Sequence, residues 1–333
     1  MRLAELRGPR DFAVVDVAVP EPRRGELLVR VEACGVCSSE LSQWTGRAGT
    51  PYPARIGHEV SGTVATVGEE VTGFAVADPV AVWTTGGGYA EYVAVHADHA
   101  RHRPVDLPAS TTLLEPVACA SNAVELADVR LGDVVLVVGA GFMGQLVTQL
   151  VALRGASQII VADARSDVLA LAAAHGATRT VDIRAEPLVQ VIRQLTAGRG
   201  ADVTFEVTGA QSALDVVGDV TRMSGKLVLV GFHQGEPRQV PLAQWNWMAF
   251  SLLNAHFRDV AVIMRGMTVG LQLLSSGQLQ LGPLVTHRFP LAEVDAAFDA
   301  AVRKPDGFVK AVVEVQAAAD RPLDPPPLRR QDH

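Results

Sequence analysis

Lysine is nearly missing from this chain of 333 residues, which holds only Lys226, Lys304 and Lys310. With a formal net charge of −7 there is no basic field for nucleic acid or an anionic membrane surface. Cysteine is equally scarce. Cys34, Cys37 and Cys119 make an odd, sparse count, which excludes a disulfide framework and any four-cysteine metal site. The same count suits a reducing, cytoplasmic setting. No apolar run reaches the roughly 18 residues of a membrane span. Residues 1–26 carry charges and prolines without an apolar stretch, so no signal peptide is expected. No internal repeat shows at periods of about 20–50 residues. What remains is 48% hydrophobic and 20% charged, a globular balance, and the length suggests two domains.

The two expected domains differ in rhythm. The first third is rich in glycine and reads as short strands. Residues 26–32 (ELLVRVE) alternate, and 60–67 and 89–95 are similar runs. From 134 the pattern becomes strand, helix, strand: VVLVV at 134–138, QIIVA at 158–162, a helical 166–175, VTFEV at 203–207 and KLVLV at 226–230. That alternation predicts a parallel sheet covered on both faces. The end mixes helices at 264–276 and 291–302 with strands at 284–289 and 309–315. Residues 316–333, with Pro325–Pro327 and many charges, are expected to be disordered.

Between the first buried strand and its helix stands Gly139-Ala140-Gly141-Phe142-Met143-Gly144, a GxGxxG turn in the context that a dinucleotide requires. The first glycine permits the turn, the second admits a pyrophosphate, and the third lets helix pack on strand. Asp163 ends the next strand, at roughly the 20-residue spacing expected for a ribose-binding acid. A carboxylate there favours NAD over NADP, while Arg165 close by weighs the other way.

Three motifs precede that turn: Cys34-Gly35-Val36-Cys37-Ser38-Ser39-Glu40, Gly57-His58-Glu59 and Leu114-Glu115-Pro116. A thiolate, an imidazole and one or two carboxylates make a catalytic zinc set with an open position. The order Cys37-x-Ser39, Gly57-His58-Glu59, Glu115-Pro116 and then the glycine turn resembles the zinc-dependent medium-chain dehydrogenase/reductase superfamily, which includes alcohol, sorbitol and threonine dehydrogenases. The likeness extends over about residues 10–315, through Gly88-Tyr89-Ala90-Glu91-Tyr92 and Gly307-Phe308-Val309-Lys310.

The resemblance implies an α/β architecture: a GroES-like β catalytic domain from residues 1–116 and 256–315, and a doubly wound parallel-sheet Rossmann domain at 117–255. It implies one catalytic zinc on Cys37 and His58, completed by Glu59, Glu115 or Cys119, a choice the sequence leaves open. Glu115-Pro116 matches the polyol branch. The structural-zinc lobe that relatives carry before the Tyr89 stretch is missing, and Ser42 replaces the outer histidine of their proton relay. Zinc would acidify the substrate hydroxyl, and the proton would leave through Ser39 and Ser42. Glu40 is expected to orient His58. Lys310 matches a cofactor-contacting position, and reads equally as a snorkelled strand-end lysine. Trp44, Trp83, Asn254 and His256 are substrate-pocket candidates by position, with the two tryptophans equally able to form an apolar slot. The expected reaction is hydride transfer between NAD and a secondary alcohol, preferably a sugar alcohol or cyclitol, in a homodimer or homotetramer. Two rivals use the same fold: a zinc-free quinone or enoyl reductase, and a non-catalytic structural protein.

Overall fold

The computed structural model describes residues 1–257 and 259–315. The expectation for residues 316–333 lies outside them. Two sheets organise the chain. The first is seven-stranded and follows the order Val285–Pro290, Lys310–Glu314, Glu26–Gly35, Glu59–Val67, Pro79–Trp83 and Ala100–His102, with Tyr92–His96 also on Glu26–Gly35. Its pairs are antiparallel except that between Val285–Pro290 and Lys310–Glu314. Early and late segments of the described chain therefore meet in one sheet, and Lys310 stands beside Val36, 274 positions earlier. A hairpin of Arg2–Gly8 and Asp11–Asp16 precedes the first strand that the sequence marked, and bridges at Leu3–Ala90 and Leu6–Ala54 tie it down.

The second sheet has six strands, all parallel: Arg179–Asp182, Gln158–Asp163, Val134–Val138, Ala201–Glu206, Thr221–Leu229 and Ser251–Asn254. By chain order within the sheet this is 3-2-1-4-5-6, the doubly wound arrangement, whose ligands bind outside the strand ends where the order reverses. That reversal lies between Val134–Val138 and Ala201–Glu206. Every residue of Val134–Val138 is buried, as expected of a strand covered on both faces.

Helix Leu114–Ala127 joins the halves, and the expected domain line at 116/117 falls inside it. Pro116 occupies the first turn of this helix, where an N–H has no intrahelical partner to lose. Helix Val260–Ser275 packs against it, and one apolar core runs from Ala33 and Ala81 through Leu113 and Val117 to Val135 and Phe205. Among the described residues no helix is long and apolar enough to cross a membrane.

Candidate active site

Strand Glu26–Gly35 ends at Gly35, and a short turn then carries Cys37, Ser39 and Glu40. The neighbouring strand begins at Glu59, so His58 and Glu59 arrive beside Cys37 by simple antiparallel pairing, with Gly35 opposite Glu59. Gly35 has a steric reason to be glycine: a Cβ there would lie 2.0 Å from Glu59 Oε2. Gly57 is held at φ 102°, and a Cβ on it would lie 2.8 Å from the Tyr89 nitrogen. The spacing of both motifs thus follows from where backbone and carboxylate must pass one another.

The donor atoms of Cys37, His58 and Glu59 lie within 4.8 Å of one another. Glu40, only 3% exposed, organises them. Its Oε1 accepts from the Gly57 N–H at 2.7 Å and faces His58 Nδ1 at 2.8 Å, and its Oε2 accepts from the Tyr89 hydroxyl at 2.8 Å. With Nδ1 so engaged, Nε2 is the nitrogen left for a metal. Burial disfavours charge on both members of this pair. The field and hydrogen bonds between them outweigh it, holding the Glu40 carboxyl low and the His58 imidazole well above its ordinary value. Cys37 adds to the upward push on His58. Ser39 Oγ donates to Cys37 Sγ at 3.1 Å.

Glu59 is 1% exposed. The Lys310 ammonium donates to its Oε1 at 2.8 Å and to the Val36 carbonyl at 2.9 Å. Glu59 Oε2 lies 2.7 Å from the same ammonium but has no partner in hydrogen-bond geometry. Burial would lower Lys310, yet the Glu59 charge outweighs it and holds the ammonium above its usual range. The snorkelled alternative for Lys310 is corrected: the side chain is buried, because its charge has a buried partner. Its ammonium also lies 4.6 Å from the centre of the Phe142 ring, at the start of the glycine-turn helix. Glu115 stands outside the 4.8 Å group. Burial raises its carboxyl, and Cys119 Sγ lies 3.5 Å from its Oε1. A thiolate, an imidazole and a carboxylate fit Zn²⁺, and Glu59 Oε2, buried and ion-paired with Lys310 but without a hydrogen bond, is an acceptor such an ion would satisfy.

The cleft beside this cluster measures about 1240 Å³ and reaches the glycine turn. Helix Phe142–Ala152 starts there with Gly141 as N-cap and no side-chain cap, which leaves its first N–H groups for an anion. A Cβ at Gly144 would lie 1.9 Å from the Gly139 carbonyl, so the third glycine is needed for packing. A Cβ at Gly141 would meet nothing nearer than Arg165 Nη2 at 3.8 Å, which leaves room in front of the helix. Asp163 Oδ2 accepts from the Ala140 N–H at 2.7 Å and Oδ1 from the Arg165 N–H at 3.0 Å. Arg165 reaches across the cleft to the Phe308 carbonyl at 2.9 Å.

Of the substrate candidates, Trp83 and His256 line this cleft, as do Ser39, Ser42 and Met143. Trp44 and Asn254 do not, and both expectations are corrected. Trp44 is 2% exposed, donates from Nε1 to Asp295 at 2.7 Å and packs against Phe298 with the rings tilted by 41°. An aromatic with a satisfied N–H belongs in a core. Asn254 is exposed at the end of the edge strand, where Oδ1 accepts from the His256 N–H at 3.1 Å. Sequence reasoning missed three residues at the site: Tyr89, which holds Glu40; Gln43; and Gln234, which donates to the Ser39 carbonyl at 2.7 Å from the other half. The Tyr89 motif was visible in the sequence but not its target.

Residues 23–105 match the alcohol dehydrogenase GroES-like domain and residues 143–271 the zinc-binding dehydrogenase domain. Human sorbitol dehydrogenase is 30% identical over 336 residues, covering 88% of this chain and 90% of that protein. Among solved structures, 2R,3R-butanediol dehydrogenase from Bacillus subtilis is 25% identical with a TM-score of 0.81, covering 94% of this chain and 99% of that one. A protein from Sinorhizobium meliloti 1021, solved bound to NADP, is 26% identical with a TM-score of 0.84, covering 94% and 98%.

Proposed function

The chain belongs to the zinc-dependent medium-chain dehydrogenase/reductase superfamily and is an alcohol dehydrogenase, and from that premise we propose that it oxidises a secondary alcohol of a polyol with NAD. The observation that carries this reading is the meeting of two sites in one cleft: the Cys37–His58–Glu59 cluster and the Gly139–Gly144 turn. Cys37, His58 and Glu59 would hold the zinc, which would supply Lewis acidity toward the substrate hydroxyl, and the Gly139–Gly144 turn would hold the dinucleotide, which would supply the hydride acceptor. The chain's own residues do the rest. Ser39 takes the hydroxyl proton and passes it toward Ser42 and solvent. Glu40 fixes the face that His58 presents. Glu115, which lines the same cleft, is a reserve carboxylate for the cluster. Asp163 accepts from the ribose hydroxyls and repels a 2′-phosphate.

Sorbitol dehydrogenase among the relatives and a cleft lined by Ser39, Ser42, Gln43 and Thr85 support a polyol over a simple alkanol. We place the reaction in the cytoplasm and in a homo-oligomer. Turnover with a panel of inositols, aminocyclitols, sorbitol, 2-butanol and benzyl alcohol tests the substrate class. Higher kcat/KM for the simple alcohols rejects the polyol reading. Cofactor choice is tested separately. NAD should support faster turnover than NADP at equal subsaturating concentration, and Asp163→Ala should raise KM for NAD more than for NADP. The opposite preference in the wild-type protein would transfer the deciding role to Arg165.

A further inference from the structure

The loops that follow strands Ala201–Glu206 and Thr221–Leu229 line the cleft with Thr208, His233 and Gln234. The second loop sends a side chain into the other half of the molecule. Gln234 Nε2 donates to the Ser39 carbonyl at 2.7 Å, across 195 residues of sequence. Neither zinc binding nor dinucleotide binding requires that bond. It ends instead on the residue that takes the substrate proton.

The donor is firmly mounted. Arg238 Nη2 donates to the Gln234 carbonyl and to the Gly209 carbonyl at 3.2 Å each, and Nη1 donates to the Glu236 carbonyl at 3.3 Å. His233, the residue before Gln234, faces Glu206 Oε2 at 2.9 Å. The two loops pass too closely for a side chain at Gly231, where a Cβ would lie 2.2 Å from the Gly209 nitrogen. Gln234 is thus fixed on both sides before it reaches across. The acceptor sits in a weaker frame. Ser39 is the middle residue of the single 3₁₀ turn Ser38–Glu40. Its Oγ donates to Cys37 Sγ at 3.1 Å, and Glu40 after it is anchored to the Gly57 N–H and the Tyr89 hydroxyl. A turn this short has no ladder of its own to keep its shape. A bond to its central carbonyl therefore limits how far the Ser39 backbone, and Oγ with it, can turn. A hydroxyl that must meet a reacting oxygen loses rate steeply when its position blurs.

We propose that Gln234 is a positioning residue for the proton transfer: the half that carries the cofactor site fixes the Ser39 hydroxyl through one amide–carbonyl bond. This rests on the alcohol dehydrogenase reading, with Ser39 as the proton acceptor, and deepens it. The proton passes from the substrate hydroxyl to Ser39 Oγ as Oγ gives up its own toward Ser42. Gln234 neither gains nor loses one.

A double-mutant cycle with Ser39 tests this. Turnover is measured per bound zinc, with NAD and the best alcohol among the inositols, sorbitol and 2-butanol. Gln234→Met, which keeps the length and removes the donor, should lower kcat by about tenfold and leave KM for NAD within about twofold. Gln234→Lys, which restores a donor, should recover most of that kcat. In a Ser39→Ala background Gln234→Met should change kcat by less than about twofold, because the hydroxyl it positions has gone. Losses of equal size in both backgrounds overturn the assignment, since Gln234 would then act on the cleft as a whole. So do an unchanged kcat in Gln234→Met, a loss confined to KM, and a loss that Gln234→Lys does not recover. Each of these leaves the dehydrogenase reading intact. A wild type that turns over none of the alcohols overturns that reading and this assignment with it.

Discussion

Glu59 and Glu206 are both 1% exposed, and each stands at the end of a strand, one in each sheet; Glu59 lines the cleft, whereas Glu206 lies behind the lining residues Thr208 and His233 that it bonds. Their surroundings could hardly differ more. Glu206 Oε1 accepts from the N–H groups of Thr208 at 2.7 Å and Gly209 at 2.9 Å and from the Thr208 hydroxyl, and Oε2 faces His233 Nε2 at 2.9 Å. Its acceptor positions are filled by residues of its own loop and by His233 from the loop after the next strand. Glu59 has the Lys310 ammonium and an oxygen without a hydrogen bond. A saturated carboxylate holds a loop together. An unsaturated one beside a thiol and an imidazole is set up to bind something. Burial alone therefore does not separate a structural glutamate from a functional one; the count of unfilled acceptors does.

The largest effect that could break this contrast comes from the cluster itself. Cys37→Ser or His58→Ala should abolish zinc retention and lower turnover by about 10³-fold or more, the loss expected when several kcal/mol of charge stabilisation disappear. Metal analysis beside steady-state kinetics reads both. Next come the two glutamates in parallel. Glu59→Gln should weaken zinc binding and leave the Lys310 charge without its buried partner, costing about 3–5 kcal/mol of stability in the metal-free protein. Glu206→Gln should cost only about 1–3 kcal/mol and keep full zinc content. Equal zinc loss in both would end the distinction. Ser39→Ala should lower kcat by about 10²-fold, and Ser42→Ala by only a few-fold, because water can extend the relay in place of Ser42. Similar small effects at both positions would show that the proton leaves another way.

The smallest effect belongs to the parallel sheet alone. Asp202 accepts from the Val134 N–H at 2.8 Å and pairs with Arg199 and Arg222 at 2.6 Å each. Burial would raise its carboxyl, and these hydrogen bonds outweigh it and hold it below its ordinary value. Its contribution is complete above the unfolded Asp value of about 3.9 and is lost as pH falls through the lower folded value. Asp202→Asn should therefore reduce Tm at pH 7 by about 2–4 °C and converge with wild type in acid. A Tm difference that persists unchanged below the folded value would show that charge is not the cause.

The sequence was legible where structure is local. The glycine turn, its strand and the acid at Asp163 lie within one βαβ unit, so pattern and function coincide there. Cys37 with His58 was legible because adjacent antiparallel strands bring the two motifs together. The misses are long-range. Lys310 meets Glu59 and Trp44 meets Asp295 each across 251 residues. No spacing rule predicts either contact, so Trp44 looked like a pocket wall, and Lys310 read equally as a cofactor contact and as a snorkelled strand-end lysine. Helix Leu114–Ala127 was hidden by Pro116 and by small residues with little amphipathic pattern. Gln43 carried no motif at all, and nor did Gln234, whose partner Ser39 lies 195 residues away.

The central claim is that Glu59 is incomplete because a metal completes it. Zinc content of the protein purified without added metal, followed through removal by a chelator and readdition, tests this most directly. The account predicts one zinc per chain, loss of turnover with the metal, and recovery of both on readdition. Two zincs per chain, or full activity in the metal-free protein, would contradict it.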